Sequence, residues 1–141
     1  MKEYHIIIGQ KSRDRIELKA FACGMDYSVI ICGGTHYHIG STALGHANTG
    51  KDKLPGNKAT VSVICAPGHR DDEVARWAAR YLATELKCNV SVSVGIHIDN
   101  ASQEEINALI TNCKKVCKKL VQDVFGEWKT KAHSNNQRKF E

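Results

Sequence analysis

Apolar and polar positions alternate with period two through the first half of the chain, and the pattern changes to helical spacing after Pro67. Strand-like runs span Glu3 to Gly9, Arg15 to Ala22, Tyr27 to Cys32, Ile39 to Ala47 and Ala59 to Cys65. Turn-type segments such as Cys23-Gly24-Met25-Asp26 and Gly33-Gly34 separate them. Asn48 to Asn57 is the one long polar connection and is expected to project from the sheet. Past Pro67, Val74, Trp77, Ala78, Tyr81, Leu82 and Leu86 recur at helical spacing. Asp71, Asp72 and Glu73 precede them, where the positive end of a helix dipole favours acids. Val90, Val92, Val94, Ile96 and Ile98 then alternate with Ser91, Ser93, Gly95, His97 and Asp99, the pattern of a sixth strand with two unlike faces. Ser102-Gln103-Glu104-Glu105 has capping-box spacing and opens a second helix. Its stripe of Ile106, Leu109, Ile110, Cys113, Cys117, Leu120, Val121 and Val124 should end near Gly126.

Five strands, a helix, a strand and a helix predict an α+β fold: a mostly antiparallel sheet of five to six strands with both helices packed on one face. Residues 1–126 are expected to form a single domain, and residues 127–141, apolar only at Trp128 and Phe140, a loosely held polar tail. If strands three, four and five form a meander and the first helix is a crossover, strands three, five and six run in the same direction. The segments that follow them then share one edge of the sheet.

Those segments carry the chemistry. Gly33-Gly34-Thr35-His36-Tyr37-His38-Ile39-Gly40, Pro67-Gly68-His69-Arg70-Asp71-Asp72-Glu73 and Gly95-Ile96-His97-Ile98-Asp99-Asn100 each combine glycine with histidine or carboxylate. Glycine admits sharp turns and close approach, and His and Asp can coordinate, hydrogen-bond or move protons, so the three point to one composite site. Backbone N–H groups of a glycine loop and of the helix start after Pro67, with His69 and Arg70, could hold a phosphate, although Asp71 and Asp72 would repel it unless they face away. His36, His38, His69, His97 and Asp99 could instead hold a metal, but their spacing is not a recognised zinc pattern and no bound metal is expected. Ser41, Ser91 and Ser93 lack a nucleophile-elbow context. Proton transfer by His97 with Asp99 remains open, as does the plain alternative of a polar strand end.

Composition narrows the class. In this chain of 141 residues, 42% hydrophobic and 25% charged, a single core is expected. No apolar run approaches the ~20 residues that cross a bilayer. Ile6-Ile7-Ile8 is too short for a signal-peptide core, so a cytoplasmic location is expected. Cys23, Cys32, Cys65, Cys88, Cys113 and Cys117 form no Cys-x-x-Cys pair and read as reduced thiols. The formal charge of +5 comes entirely from residues 111–141, which hold eight Lys/Arg against three Asp/Glu. Lys114, Lys115, Lys118 and Lys119 fall opposite the apolar stripe of the second helix, as a solvated face would place them. Without interleaved aromatics, nucleic-acid binding ranks last.

The stretch from Ile30 to Asn107, with Gly33-Gly34 and His38-Ile39-Gly40, then Pro67 to Glu73, then Gly95 to Ala101, resembles the LpdD-type family of prenylated-flavin chaperones, accessory proteins of UbiD-type aromatic-acid decarboxylases. The resemblance covers more than half of the chain. It implies a fold similar to the proteasome assembly chaperones, a homodimer, and a non-catalytic role that binds or delivers prenylated FMN, transiently, or docks on the decarboxylase. It also implies a cofactor-binding surface of Gly33, Gly34, His38, Gly40, Gly68, His69, Arg70, Asp71, Asp72, His97 and Asp99. The alternative from a different class is a small metal-dependent enzyme built on His36, His38, His69, His97 and Asp99.

Overall fold

The computed structural model describes residues 1–48, 59–68 and 71–139. The long polar connection beyond Asn48, together with His69, Arg70 and Phe140, lies outside the described residues. Six strands follow the alternating runs closely: β1 Glu3–Ile8, β2 Ile16–Cys23, β3 Asp26–Gly34, β4 Ser41–Ala47, β5 Ala59–Cys65 and β6 Asn89–His97. Helix α1 spans Asp72–Leu86, between β5 and β6, and α2 spans Gln103–Arg138. The sheet order is β1-β2-β3-β6-β4-β5, and every pairing is antiparallel except β3 with β6. Both helices cover the same face, α1 over β4, β5 and β6 and α2 over β1, β2 and β3. This is the expected α+β architecture with a mostly antiparallel sheet.

The strand order departs from the expected meander, because β6 lies between β3 and β4. The inward side chains of β6 explain the insertion. Val90, Val92 and Val94 are fully buried, and a strand with a continuous valine face is best covered as a central strand flanked on both sides. The directions survive: β3 and β6 are parallel, and β5, antiparallel to β4, runs with them. The ends of all three strands therefore meet at one edge.

The core sits between sheet and helices. Ile16, Leu18, Val29 and Ile31 meet Val116, Leu120 and Val124 of α2 in a single buried cluster. Under α1 the helix contributes Ala75, Ala78, Ala79 and Ala83, small residues that let it lie close on the sheet. Cys113 and Cys117 are buried in the α2 stripe and act as small hydrophobes. The opposite sheet face is open and carries exposed Ile7, Ile30, Leu44 and Ile64.

Helix α2 does not stop near Gly126 but continues to Arg138. A glycine inside a helix costs only ~1 kcal/mol, and contacts of the next turn with β1 hold the helix through it. Glu127 accepts a hydrogen bond from the Tyr4 hydroxyl at 2.8 Å and pairs with Lys2 at 2.8 Å, tying this turn to β1. The Phe125 and Trp128 rings meet at 5.1 Å. Past Trp128 the described side chains are exposed.

Candidate functional site

The connection from β3 to β4, residues 35–40, crosses the open face of β6 near its end. Gly34 at φ +73° starts the turn, and there a side chain would strike the His97 carbonyl. The connection is then stitched to β6 by the N–H groups of Thr35 and His36, which donate to the His97 carbonyl at 2.9 and 3.4 Å, and by Gly40 N–H to Val94 O at 2.8 Å. Gly95 makes the crossing possible, since the His38 carbonyl occupies the space a Cβ would need. This glycine houses the chain's own backbone. Gly33 is packed against Arg15 and Ile16, and Gly40 against the Asp71 carboxylate, so neither leaves room for a ligand.

The crossing brings histidines together. The His36 and His97 rings lie 5.7 Å apart, and His38 and His97 6.3 Å, both edge-on. Asp71, at the start of α1, makes no side-chain cap on that helix. Its carboxylate instead accepts from the Ile96 N–H at 3.3 Å and lies 3.2 Å from His38 Nε2, and so ties the helix start to β6 and to the crossing. Only 9% of Asp71 is exposed. Past the end of β6, Asp99 Oδ1 sits 2.9 Å from His97 Nε2, and this contact lowers the Asp99 carboxyl below its ordinary range. Asp72 occupies the first turn of α1, where an acid suits the helix dipole.

Between these groups and α2 opens a cleft of about 390 Å³. His38, Gly68, Asp71 and His97 form its polar rim, and Ile96, Ile98, Ile106, Leu109 and Ile110 give it an apolar wall. Ile106 and Ile110 remain 38% and 39% exposed because the α2 stripe extends beyond the sheet that covers the rest of it. Arg13, outside the cleft lining, holds the turn between β6 and α2: its guanidinium donates to Glu105 at 2.5 and 3.1 Å and to the Asp99 carbonyl at 2.9 Å. That fork lowers the Glu105 carboxyl to about 2.

Residues 10–125 match the prenylated flavin chaperone LpdD-like domain. The chain belongs to this LpdD-like family. One solved chain, from a crystal structure of a novel chaperone complex for yeast 20S proteasome assembly, is similar at 14% identity and a TM-score of 0.48. The match covers 90% of this chain and 98% of that one. Comparison with curated proteins gives no match.

In this LpdD-like chain, the site residues taken from the sequence, apart from Asp72 in the first turn of α1, separate into three groups. His38, Gly68, Asp71 and His97 line the cleft, with Asp99 bonded to His97 beside it. Gly33, Gly34 and Gly40 build the crossing that delivers His36 and His38. His69 and Arg70 lie outside the described residues. The sequence reading missed the wall formed by Ile96, Ile98, Ile106, Leu109 and Ile110, and the clamp made by Arg13 with Glu105. The wall had a signal: Ile106 and Ile110 belong to the first turns of an apolar stripe longer than one sheet width.

Proposed function

We propose that this chain is a non-catalytic accessory protein that holds a prenylated FMN-type cofactor in the cleft and passes it to a UbiD-type decarboxylase. The observation that carries this reading is the two-sided cleft, an apolar wall facing an imidazole and carboxylate rim, in a chain of the LpdD-like family. Its volume falls within the ~300–1,000 Å³ usual for small-molecule sites. The chemistry fits a flavin ring system: Ile96, Ile98, Ile106 and Leu109 suit its hydrocarbon edge, and His38, Asp71 and His97 suit its nitrogens and carbonyls. The phosphate end is matched less well, because no Lys or Arg is among the described residues that line the cleft. We propose in addition that the chain is a homodimer, a reading supported by the exposed Ile30, Leu44 and Ile64 on the open sheet face.

The test is retention. Purified protein mixed anaerobically with reduced prenylated FMN should keep the flavin absorbance through desalting. His97→Ala and Ile110→Asp should each weaken retention by about tenfold, a loss of ~1.4 kcal/mol. Complete passage of the flavin, together with failure to pull down a UbiD-type decarboxylase, would overturn the reading. Light scattering of the eluted protein tests the dimer, which a monomer mass would refute.

A further inference from the structure

We propose that His36, His97 and Asp99 form a binding site for a divalent first-row transition ion on the rim of the cleft, and that the ion's open positions take the phosphate of the flavin-type ligand. The second half rests on the flavin-holding reading above; the first half stands on the side chains alone. One ligand atom from each of the three lies within 4.8 Å of the others. Around a tetrahedral ion with bonds of about 2.0–2.2 Å the donors stand ~3.4 Å apart, so the widest pair must close by up to about 1.4 Å, while His97 Nε2 and Asp99 Oδ1 already lie 2.9 Å apart. The side chains are exposed and free to make that adjustment.

The backbone has already brought the donors together. His36 sits on a crossing whose Thr35 and His36 N–H groups donate to the carbonyl of His97 itself. Asp99 is held through its own carbonyl by Arg13, which is forked to Glu105. Thr35 Oγ1 lies 3.1 Å from His36 Nδ1, an outer contact of the kind that fixes a ligating imidazole and leaves Nε2 for the ion. Two imidazole nitrogens and one carboxylate oxygen suit Zn²⁺, Co²⁺ or Mn²⁺ and leave coordination positions open.

Those positions answer the deficit at the phosphate end. The described cleft lining pairs its histidines with carboxylates and has no lysine or arginine, and the neighbouring Arg13 is already engaged by Glu105 and the Asp99 carbonyl. An ion at His97 supplies a cation there, because His97 belongs both to the cleft lining and to the donor set.

Tag-free protein stripped with chelator is titrated with Co²⁺, read by visible absorbance, and with Zn²⁺, read by calorimetry. One ion per chain is expected, with affinity reduced at least about tenfold in His36→Ala and in Asp99→Asn. His133→Ala, which removes an exposed histidine on the last turns of α2, should bind as the parent does. Binding of less than about a tenth of an equivalent, or unchanged affinity in both site variants with intact circular dichroism, overturns the site. FMN and riboflavin, which differ by the phosphate, are then titrated with and without Zn²⁺. Zn²⁺ should tighten FMN and leave riboflavin unchanged, and an equal response of the two overturns the phosphate half. If the ion binds while neither FMN nor reduced prenylated FMN does, the site stands and the flavin-holding reading falls.

Discussion

Replacing Gly95 by alanine tests the crossing on which the whole rim depends. The added methyl would overlap the His38 carbonyl carbon and oxygen and stand 3.1 Å from the Ile39 nitrogen. These are backbone atoms, so no side-chain rotation relieves the clash, and the crossing must lift off β6 by more than an ångström. Lifting it strains or breaks the Gly40 N–H to Val94 O hydrogen bond of 2.8 Å and the 3.6 Å contact of the Cys32 thiol with the His38 carbonyl. Overpacking against backbone costs ~1–3 kcal/mol and a lost hydrogen bond ~1 kcal/mol more, which gives a destabilisation of about 2–4 kcal/mol. For a domain of this size that is a Tm lower by roughly 6–12 °C. Gly126→Ala is the control: nothing lies within 4 Å of its added Cβ in α2, so it should gain up to ~1 kcal/mol. Urea unfolding followed by the fluorescence of Trp77 and Trp128 measures both. A Gly95→Ala loss below ~0.5 kcal/mol, within the range of ordinary surface substitutions, would refute the claim that the His38 carbonyl needs this space.

Asp71→Ala leaves the Ile96 N–H unpaired in a nearly buried setting and should cost ~1–3 kcal/mol in urea unfolding, whereas Asp71→Asn keeps an acceptor and should cost less. Equal losses would show that this hydrogen bond is not the source. The Arg13 and Glu105 fork should be visible in the pH dependence of Tm. Because the Glu105 carboxyl falls from 4.5 to about 2 in the folded chain, its stabilisation is present above pH 4.5 and lost as pH falls through about 2. The Tm gap between the parent and Arg13→Ala should therefore be constant above pH 4.5 and close towards pH 2; a gap that widens on acidification contradicts the assignment. Burial pushes the Cys113 thiol up to about 12 and raises Cys117 as well, so native protein should react with a thiol reagent at exposed Cys23 and Cys65 while Cys113 and Cys117 stay unmodified until unfolding. Prompt labelling of Cys113 in folded protein would contradict its place in the core.

The amino-acid sequence determined the elements and their faces. Alternation of Val90 to Ile98 and the stripe from Leu109 to Val124 state locally which side is buried, because side chains repeat every two residues in a strand and every 3.6 in a helix. Capping is local too, so Ser102 with Glu105 marked the start of α2 to the residue. From the common direction of β3, β5 and β6 it also followed that the glycine and histidine segments would share an edge, as the rings of His36, His38 and His97 do.

Only the tertiary structure decided which strand lies beside which, how far α2 runs, and what the glycines are for. Strand order is set by which faces cover one another across the whole sheet, and no local period records that β6 separates β3 from β4. Gly126 reads as a stop until Tyr4 and Lys2, more than a hundred residues away, hold Glu127 in the next turn. Gly40 reads as part of a ligand surface and Gly95 as part of a glycine and histidine segment, yet one receives the Asp71 carboxylate and the other the His38 carbonyl. Likewise Ile106 and Ile110 read as core, and they become the wall of a cleft because the sheet ends before the helix stripe does. The sequence names the groups that can do chemistry; long-range packing chooses which of them face a shared space and which are consumed in building it.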